Sequence, residues 1–279
     1  MARPRGVKSK DFFPAVFSRH AAAYQRRLDY VMERGEARGR LRLIELAAAK
    51  PGQRVLDLAC GPGNLTARLA AGVRPGGEVV GVDLAPGMIE LARAAAIPNA
   101  RFEVMDFEHL AFDDQAFDVA VCGHGLQFAS DLGQALREVR RVLKAQASFV
   151  ASVPVAPVKD SVWQLLDGTI DRWLPPPPEV VDQHVTREVV ADASALKEAA
   201  LEAGFSSAIV DVVEEEVHWE SAEQLVSSFM GWWDCAARME SVEPARREGL
   251  QAAAVAALKS NHPGAIETVG RNHVLVAST

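Results

Sequence analysis

Two carboxylates define the chemistry open to this chain. "RVLDLACGPGN" (54–64) is an apolar run with Asp57 near its end, followed by a loop holding Gly61 and Gly63. "VVGVD" (79–83) ends in Asp83, twenty positions after Gly63. A glycine loop that opens a helix ordinarily cradles phosphate, because its free backbone N–H groups point at the anion. Asp57 argues against a phosphate here. A carboxylate about 4 Å from a pyrophosphate is repelled by roughly 4 kcal/mol at an effective dielectric near 20. The third glycine of a dinucleotide fingerprint is also missing, since Thr66 stands in its place. The pattern asks instead for a cation beside Asp57, such as an amino-acid ammonium. An acid at the spacing of Asp83 accepts both hydroxyls of a ribose. A third run ends in Met105, Asp106 and Phe107. Asp106 there is placed to accept an adenine amino group, and Met88 to lie on the adenine face. The ligand read from these residues carries a nucleoside at one end and a positively charged amino acid at the other.

The elements that must hold these residues alternate. Strand-like runs at 54–59, 77–84, 100–108, 117–125 and 147–155 are separated by helical ones at 64–73, 87–96 and 131–144. In the last of these helices Leu132, Leu136, Val139 and Leu143 share one face. This βαβ order predicts a parallel sheet with helices on both faces. Near-continuous apolar strands suit burial on both faces, and ligands of such sheets bind at the carboxyl ends of the strands. After residue 155 the rhythm changes. Helices are expected at 161–174, 193–205, 222–239 and 245–259, with a strand or long hairpin arm at 208–219 and a closing strand at 273–278. The organisation expected is a helical cover over 1–42, a ligand-binding core over 43–155, and helical lid inserts over 156–279 that include the closing strands of the same sheet.

Charge and composition narrow the class. Net charge is −7, which argues against nucleic acid as a partner of the whole chain. Residues 1–42 are the exception, with eleven Lys or Arg against four acids. They read either as a solvated amphipathic segment or as an arm that closes over a carboxylate-bearing ligand. Three widely spaced cysteines (Cys60, Cys122 and Cys235) fit neither a disulfide framework nor a zinc site, so no metal is expected. No apolar stretch is long enough to span a membrane. The first residues lack the apolar core of a secretory signal. The expectation is a cytoplasmic protein, a monomer or homodimer, with no membrane or nucleic-acid partner.

A nucleoside joined to a charged amino acid is the make-up of S-adenosylmethionine. "VLDLACGPGN", "VVGVDLAPGMIELAR", "FEVMDFEHLAFDDQAFDVAVCGHGLQF" and "ALREVRRVLK" resemble, in order and spacing over about residues 40–155, the motifs of class I S-adenosylmethionine-dependent methyltransferases. The chain is most similar to the ubiquinone/menaquinone-biosynthesis-like small-molecule group. The resemblance implies an α/β, doubly wound, mostly parallel seven-stranded Rossmann-like sheet with an antiparallel last strand. It implies Asp57, Ala59, Cys60, Gly61 and Gly63 around the methionine part, Asp83 and Leu84 at the ribose, and Met88, Asp106 and Phe107 at the adenine. Cys122, Gly123 and His124 would line the floor near the sulfonium, and Tyr24 would reach the cofactor carboxylate from the N-terminal helix. Two departures stand out. Ala59 replaces a frequent glycine, and "LKAQASF" (143–149) lacks the usual Lys-Pro-Gly-Gly, which leaves that turn's geometry open.

The reaction expected is in-line transfer of a methyl group to a small, partly apolar acceptor, leaving S-adenosylhomocysteine. Positioning and exclusion of water carry most of such a reaction. A base is needed only where the acceptor must lose a proton. His124 is the candidate base, because imidazole titrates near neutrality; the plain alternative is a histidine that shapes the cofactor pocket. Trp163, Trp173, Trp232 and Trp233, four of the five tryptophans, fall in the helical inserts and are candidates to line the acceptor pocket or to pack the lid; the fifth is Trp219. Two other functions fit parts of the pattern. One is a protein that binds S-adenosylmethionine and catalyses something other than methyl transfer. The other is a nicotinamide-dependent oxidoreductase, which Asp57 disfavours.

Overall fold

The computed structural model describes residues 6–155 and 161–279, so the first five residues of the expected cover and residues 156–160 at the start of the lid region lie outside it. Three helices come first: α1 (Ser9–Arg19), α2 (Ala21–Glu33) and α3 (Arg38–Ala47). The alternating region follows as β1 (Arg54–Leu58), α4 (Asn64–Gly72), β2 (Glu78–Asp83), α5 (Pro86–Ala94), β3 (Ala100–Val104), β4 (Phe117–Gly123), α6 (Leu132–Val142) and β5 (Leu143–Val155). The remainder is α7 (Ser161–Trp173), α8 (His184–Ala191), α9 (Ala193–Glu202), β6 (Ser207–Trp219), α10 (Ala222–Met230), α11 (Trp233–Met239), α12 (Pro244–Asn261) and β7 (Ile266–Ser278).

All seven strands form one sheet in the order β3-β2-β1-β4-β5-β7-β6. β1 to β5 run parallel to one another, and β7 runs antiparallel to both β5 and β6. This is the Rossmann-like sheet with an antiparallel last strand that the sequence leads one to expect. The chain winds outward from β1 through β2 to β3, then crosses back to β4. That reversal opens a crevice at the carboxyl ends of β1 and β4, where such sheets bind ligands.

Strand periodicity decides which residues face which layer. Leu56 and Leu58 turn to one side with Val80, Leu136, Val139 and Phe149, in the core beneath α6 and α9. Val55 turns to the other side with Leu43, Leu65, Leu69, Val79 and Val121, beneath α3 and α4. Each buried Leu or Val of this kind contributes about 1.5–3 kcal/mol relative to exposure. Asp57 alternates with Leu56 and Leu58, so it falls on the α4 side. Helix starts are marked by side-chain caps. Asp131 accepts from Gln134 N at 2.8 Å at α6, Asp192 from Ala195 N at 2.8 Å at α9, and Ser221 from Gln224 N at 3.2 Å at α10.

Several boundaries differ from the sequence reading. β5 begins at Leu143, directly after α6, and passes through the departing "KAQASF" segment with Gln146 in a left-handed conformation (φ 62°). β7 begins at Ile266, well before the apolar "HVLVAS". Its polar first half pairs with β6 from Trp219↔Ile266 onward, so a partner strand supplies what apolar patterning does not announce. The helix expected over 222–239 is two helices, α10 and α11, broken at Gly231 and Trp232. α8 carries only Thr186 and Val190 as buried residues, too weak a stripe to read from sequence.

Candidate cofactor and acceptor site

The loop after β1 turns on left-handed residues: Ala59 (φ 49°), Gly61 (φ 56°) and Gly63 (φ 91°). A Cβ on Gly63 would stand 3.1 Å from Ile97 Cδ1 and 3.3 Å from Phe102 Cζ, so both the dihedral and the space demand glycine. Beneath the loop Asp57 is fully buried. Thr66 Oγ1 donates to its Oδ2 at 2.6 Å, and its Oδ1 has no hydrogen-bond partner among the described residues. Burial pushes the Asp57 carboxyl up to about 7, against the Thr66 hydrogen bond and with the help of nearby Asp83.

Asp83 is tied down at both oxygens. Gly61 N donates to Oδ2 at 2.9 Å and Ala85 N to Oδ1 at 2.8 Å. Burial raises its carboxyl above the ordinary value even so. Buried Met88 packs at the foot of α2 with Ala21, Phe17 and Tyr24. Asp106 Oδ1 accepts from Glu108 N at 2.9 Å. Its Oδ2 stands 2.7 Å from Lys10 Nζ, and the same ammonium stands 2.7 Å from Glu108 Oε2. Burial draws the Lys10 ammonium down, but these two carboxylates outweigh it and hold its pKa above the usual value.

The N-terminal helices roof this crevice. Phe13 meets Phe128 at 4.8 Å and Trp233 at 5.0 Å between ring centroids, and Phe17 meets Phe128 at 5.2 Å. Arg19 and His20 both reach Glu240 beyond α11, at 2.7 and 2.8 Å. On α2 the residues Tyr24, Arg27, Leu28 and Val31 recur at helical spacing and all face the cavity. Tyr24 OH accepts from Arg40 Nη2 at 3.2 Å.

One cavity of about 360 Å³ joins these parts. Of the residues singled out from sequence, it is lined by Tyr24, Ala59, Gly61, Asp83, Leu84, Met88, Asp106, Phe107 and His124. Asp57, Cys60, Gly63, Cys122 and Gly123 lie behind its wall and do not line it. Trp163, Trp219, Trp232 and Trp233 line it too, whereas Trp173 packs against Gly249 on α12. His124 is left-handed (φ 63°), with its backbone N–H held by Ser152 O at 2.8 Å and its Nε2 buried without a hydrogen-bond partner among the described residues. Such backbone geometry persists only where its surroundings enforce it. Burial holds the imidazole well below its usual value. Arg40 and Arg27 add to that, and the Asn272 side chain opposes it. The ring is therefore neutral near neutral pH. Burial pushes the Cys122 thiol up to about 12, which removes it as a thiolate nucleophile.

Sequence reasoning passed over Lys10, Arg27, Arg40, Glu108, Glu215 and Asn272, all of which line the cavity. Only Arg27 left a usable signal, the helical spacing it shares with Tyr24.

Residues 55–146 match the family described as Methyltransferase domain. A demethylmenaquinone methyltransferase of Lactobacillus johnsonii is 30% identical over 232 residues, which cover 75% of this chain and 91% of that protein. The chain belongs to the class I S-adenosylmethionine-dependent methyltransferases. Among relatives of these methyltransferases, a "2-phytyl-1,4-naphtoquinone methyltransferase" of Trichormus variabilis is 36% identical over 138 residues, 48% of this chain and 60% of that protein. The chain thus spans about three-fifths of the length of the curated relatives it matches first. The crystal structure of the YcgJ protein of Bacillus subtilis shares the methyltransferase fold, with a TM-score of 0.55 at 18% identity over 87% of this chain and 98% of that one. The cofactor of this family is S-adenosylmethionine. No helix among the described residues is long and apolar enough to cross a membrane.

Proposed function

We propose that the chain transfers a methyl group from S-adenosylmethionine to a small, partly apolar acceptor by in-line displacement, leaving S-adenosylhomocysteine. The observation that carries this reading is that one cavity has Asp83, Met88 and Asp106 among its walls on the strand-end side and Trp163, Trp219 and Trp232 among its walls under the lid.

The residues present fit the cofactor. Each carboxylate oxygen of Asp83 accepts one backbone amide and keeps acceptor capacity for a ribose hydroxyl. Asp57 Oδ1, buried and without a hydrogen-bond partner among the described residues, supports a cation drawn to the loop above it. Arg40, with Tyr24 on its guanidinium, supplies positive charge beside the same loop for the carboxylate. Met88 and Phe107 offer apolar surface to the adenine. When bound, S-adenosylmethionine supplies an electrophilic methyl on a sulfonium.

The chain's own contribution is positioning and dryness. Phe13, Phe17 and Phe128 close the cavity from the α1 side, which excludes water from the reacting atoms. The tryptophans orient a flat apolar body. His124, already neutral, is able to take a proton from an acceptor that must lose one. Relatives named for naphthoquinone methylation support a bicyclic aromatic acceptor. The test is mass spectrometry of reactions with S-adenosylmethionine and a panel of reduced and hydroxylated bicyclic aromatics. A gain of one methyl group is expected. Consumption of the panel with no such gain would assign a different reaction on the same cofactor. Binding of NADH in place of the cofactor would instead point to an oxidoreductase.

A further inference from the structure

One cation in the cavity has neither a use in the scheme above nor, among the described residues, a salt bridge. Arg27 lies on α2 one turn beyond Tyr24 and lines the cavity. Its guanidinium rests on the Trp232 ring, 4.3 Å from the centroid. Its Nε is buried with no hydrogen-bond partner, and Arg27 makes no salt bridge among the described residues. Glu215 acts on it only from a distance, and Glu215 Oε2 already accepts from Gly39 N and Asn272 Nδ2, each at 3.2 Å. Burial pushes the Arg27 pKa down to about 10, which leaves it a cation at neutral pH. A buried cation with an open donor is costly unless an anion joins it.

The cofactor brings one carboxylate, and of the three arginines that line the cavity Arg271 is paired with Glu214 at 3.3 Å, which leaves two guanidiniums for it. Arg40 is the one beside the strand-end loops. Its Cγ is 3.9 Å from where a Cβ on Gly123 would stand, and its partner Tyr24 is 3.8 Å from the equivalent point on Gly61. Arg27 faces Trp232 instead, among the tryptophans of the acceptor half.

We propose that Arg27 receives an anionic oxygen of the acceptor, so that the acceptor is an aromatic or similarly apolar acid bound as its anion. This rests on the methyltransferase reading. Where that oxygen is itself the attacking atom, an O–C bond forms as the C–S bond breaks. The C–S electron pair stays on sulfur, the two opposite charges cancel, and no proton has to leave. In a dry chamber that cancellation favours the transition state over the separated charges.

The test is quenching of tryptophan fluorescence in protein saturated with S-adenosylhomocysteine, using 1-naphthoate, its neutral isostere 1-naphthamide, and 1-naphthol. A charged hydrogen bond is worth about 1.5–3 kcal/mol, so naphthoate should bind roughly ten- to a hundredfold more tightly than naphthamide. Arg27→Met should erase the difference and Arg27→Lys should keep part of it, which guards against a misfolded variant. Affinity for S-adenosylhomocysteine, measured by calorimetry, should stay unchanged in both. Tighter naphthol binding from neutral to mildly alkaline pH would identify an ionised hydroxyl as the natural group, and a pH-independent preference for naphthoate would identify a carboxylate. Equal affinities in the wild type overturn the proposal, as does a preference that survives Arg27→Met. Loss of S-adenosylhomocysteine affinity in Arg27→Met also overturns it, because Arg27 would then hold the cofactor. Failure of the wild type to bind S-adenosylhomocysteine counts against the methyltransferase reading alone, and the naphthoate comparison is then made on the free protein.

Discussion

The ammonium of Lys10 lies 2.7 Å from Oδ2 of Asp106 and ties the first helix of the chain to the loop after β3. With Phe13 and Phe17 on Phe128, these contacts hold α1 against the cavity and support reading it as a cover. Deleting residues 1–24 should leave a folded protein with weak cofactor binding and almost no turnover. Hydrogen exchange in α1 should slow when S-adenosylmethionine is added. Lys10→Met should speed that exchange, since Glu108 would lose its cationic partner. A truncated protein that methylates at the full rate would show that the cover plays no part in catalysis.

Asp83→Ala removes the acceptor expected at the ribose and also frees the amides of Gly61 and Ala85. Cofactor affinity should fall by about ten- to a hundredfold, on the scale of one hydrogen bond to a charged group. Calorimetry reads this directly, and unchanged affinity would remove Asp83 from the ribose.

Asp57 makes a prediction in pH. Its folded carboxyl stands at about 7 against an ordinary value of 3.8, so the folded state holds a proton that the unfolded chain gives up much earlier. Stability of the free protein should therefore decline as pH rises between those two values. Asp57→Asn should flatten that decline in thermal melts. If the cofactor ammonium draws Asp57 into its charged form, S-adenosylmethionine binding should release a proton near neutrality and strengthen as pH rises through 7. Both effects should vanish in Asp57→Asn, and that variant should gain no affinity for NADH.

His124 titrates in the opposite direction. Its folded pKa lies well below 6.5, so the unfolded chain takes up a proton that the folded ring refuses. Its contribution to stability is full above about 6.5 and is lost as pH falls below that value. Turnover should show no imidazole limb near 6.5. If His124 is the base, His124→Asn should lower kcat by about 10²-fold or more while leaving S-adenosylhomocysteine binding intact. A drop in cofactor affinity instead would make it a residue that shapes the cofactor pocket.

The sequence by itself determined the parts that rest on short-range physics. Apolar runs of strand length alternating with amphipathic helices specify a parallel sheet. A loop that needs left-handed residues shows itself as Gly61 and Gly63, and Asp83 is recognisable because strand, turn and helix set its spacing. Tertiary structure decided what meets across the cavity. Strand alternation puts Asp57 on the α4 side, beneath Thr66 and behind the cavity wall, although it adjoins the loop in sequence. The pairing of β6 with β7 sets Val213 opposite Asn272 and Glu215 opposite Gly270. That register brings Glu215 and Asn272 together beside α3, where both line the cavity with Arg27 and Arg40. Arg27 reads in sequence as one more cation of a basic helix. Its place on Trp232, with no salt bridge among the described residues, exists only once α2 has docked against the lid, because burial and pairing are properties of the packed chain and not of any window within it.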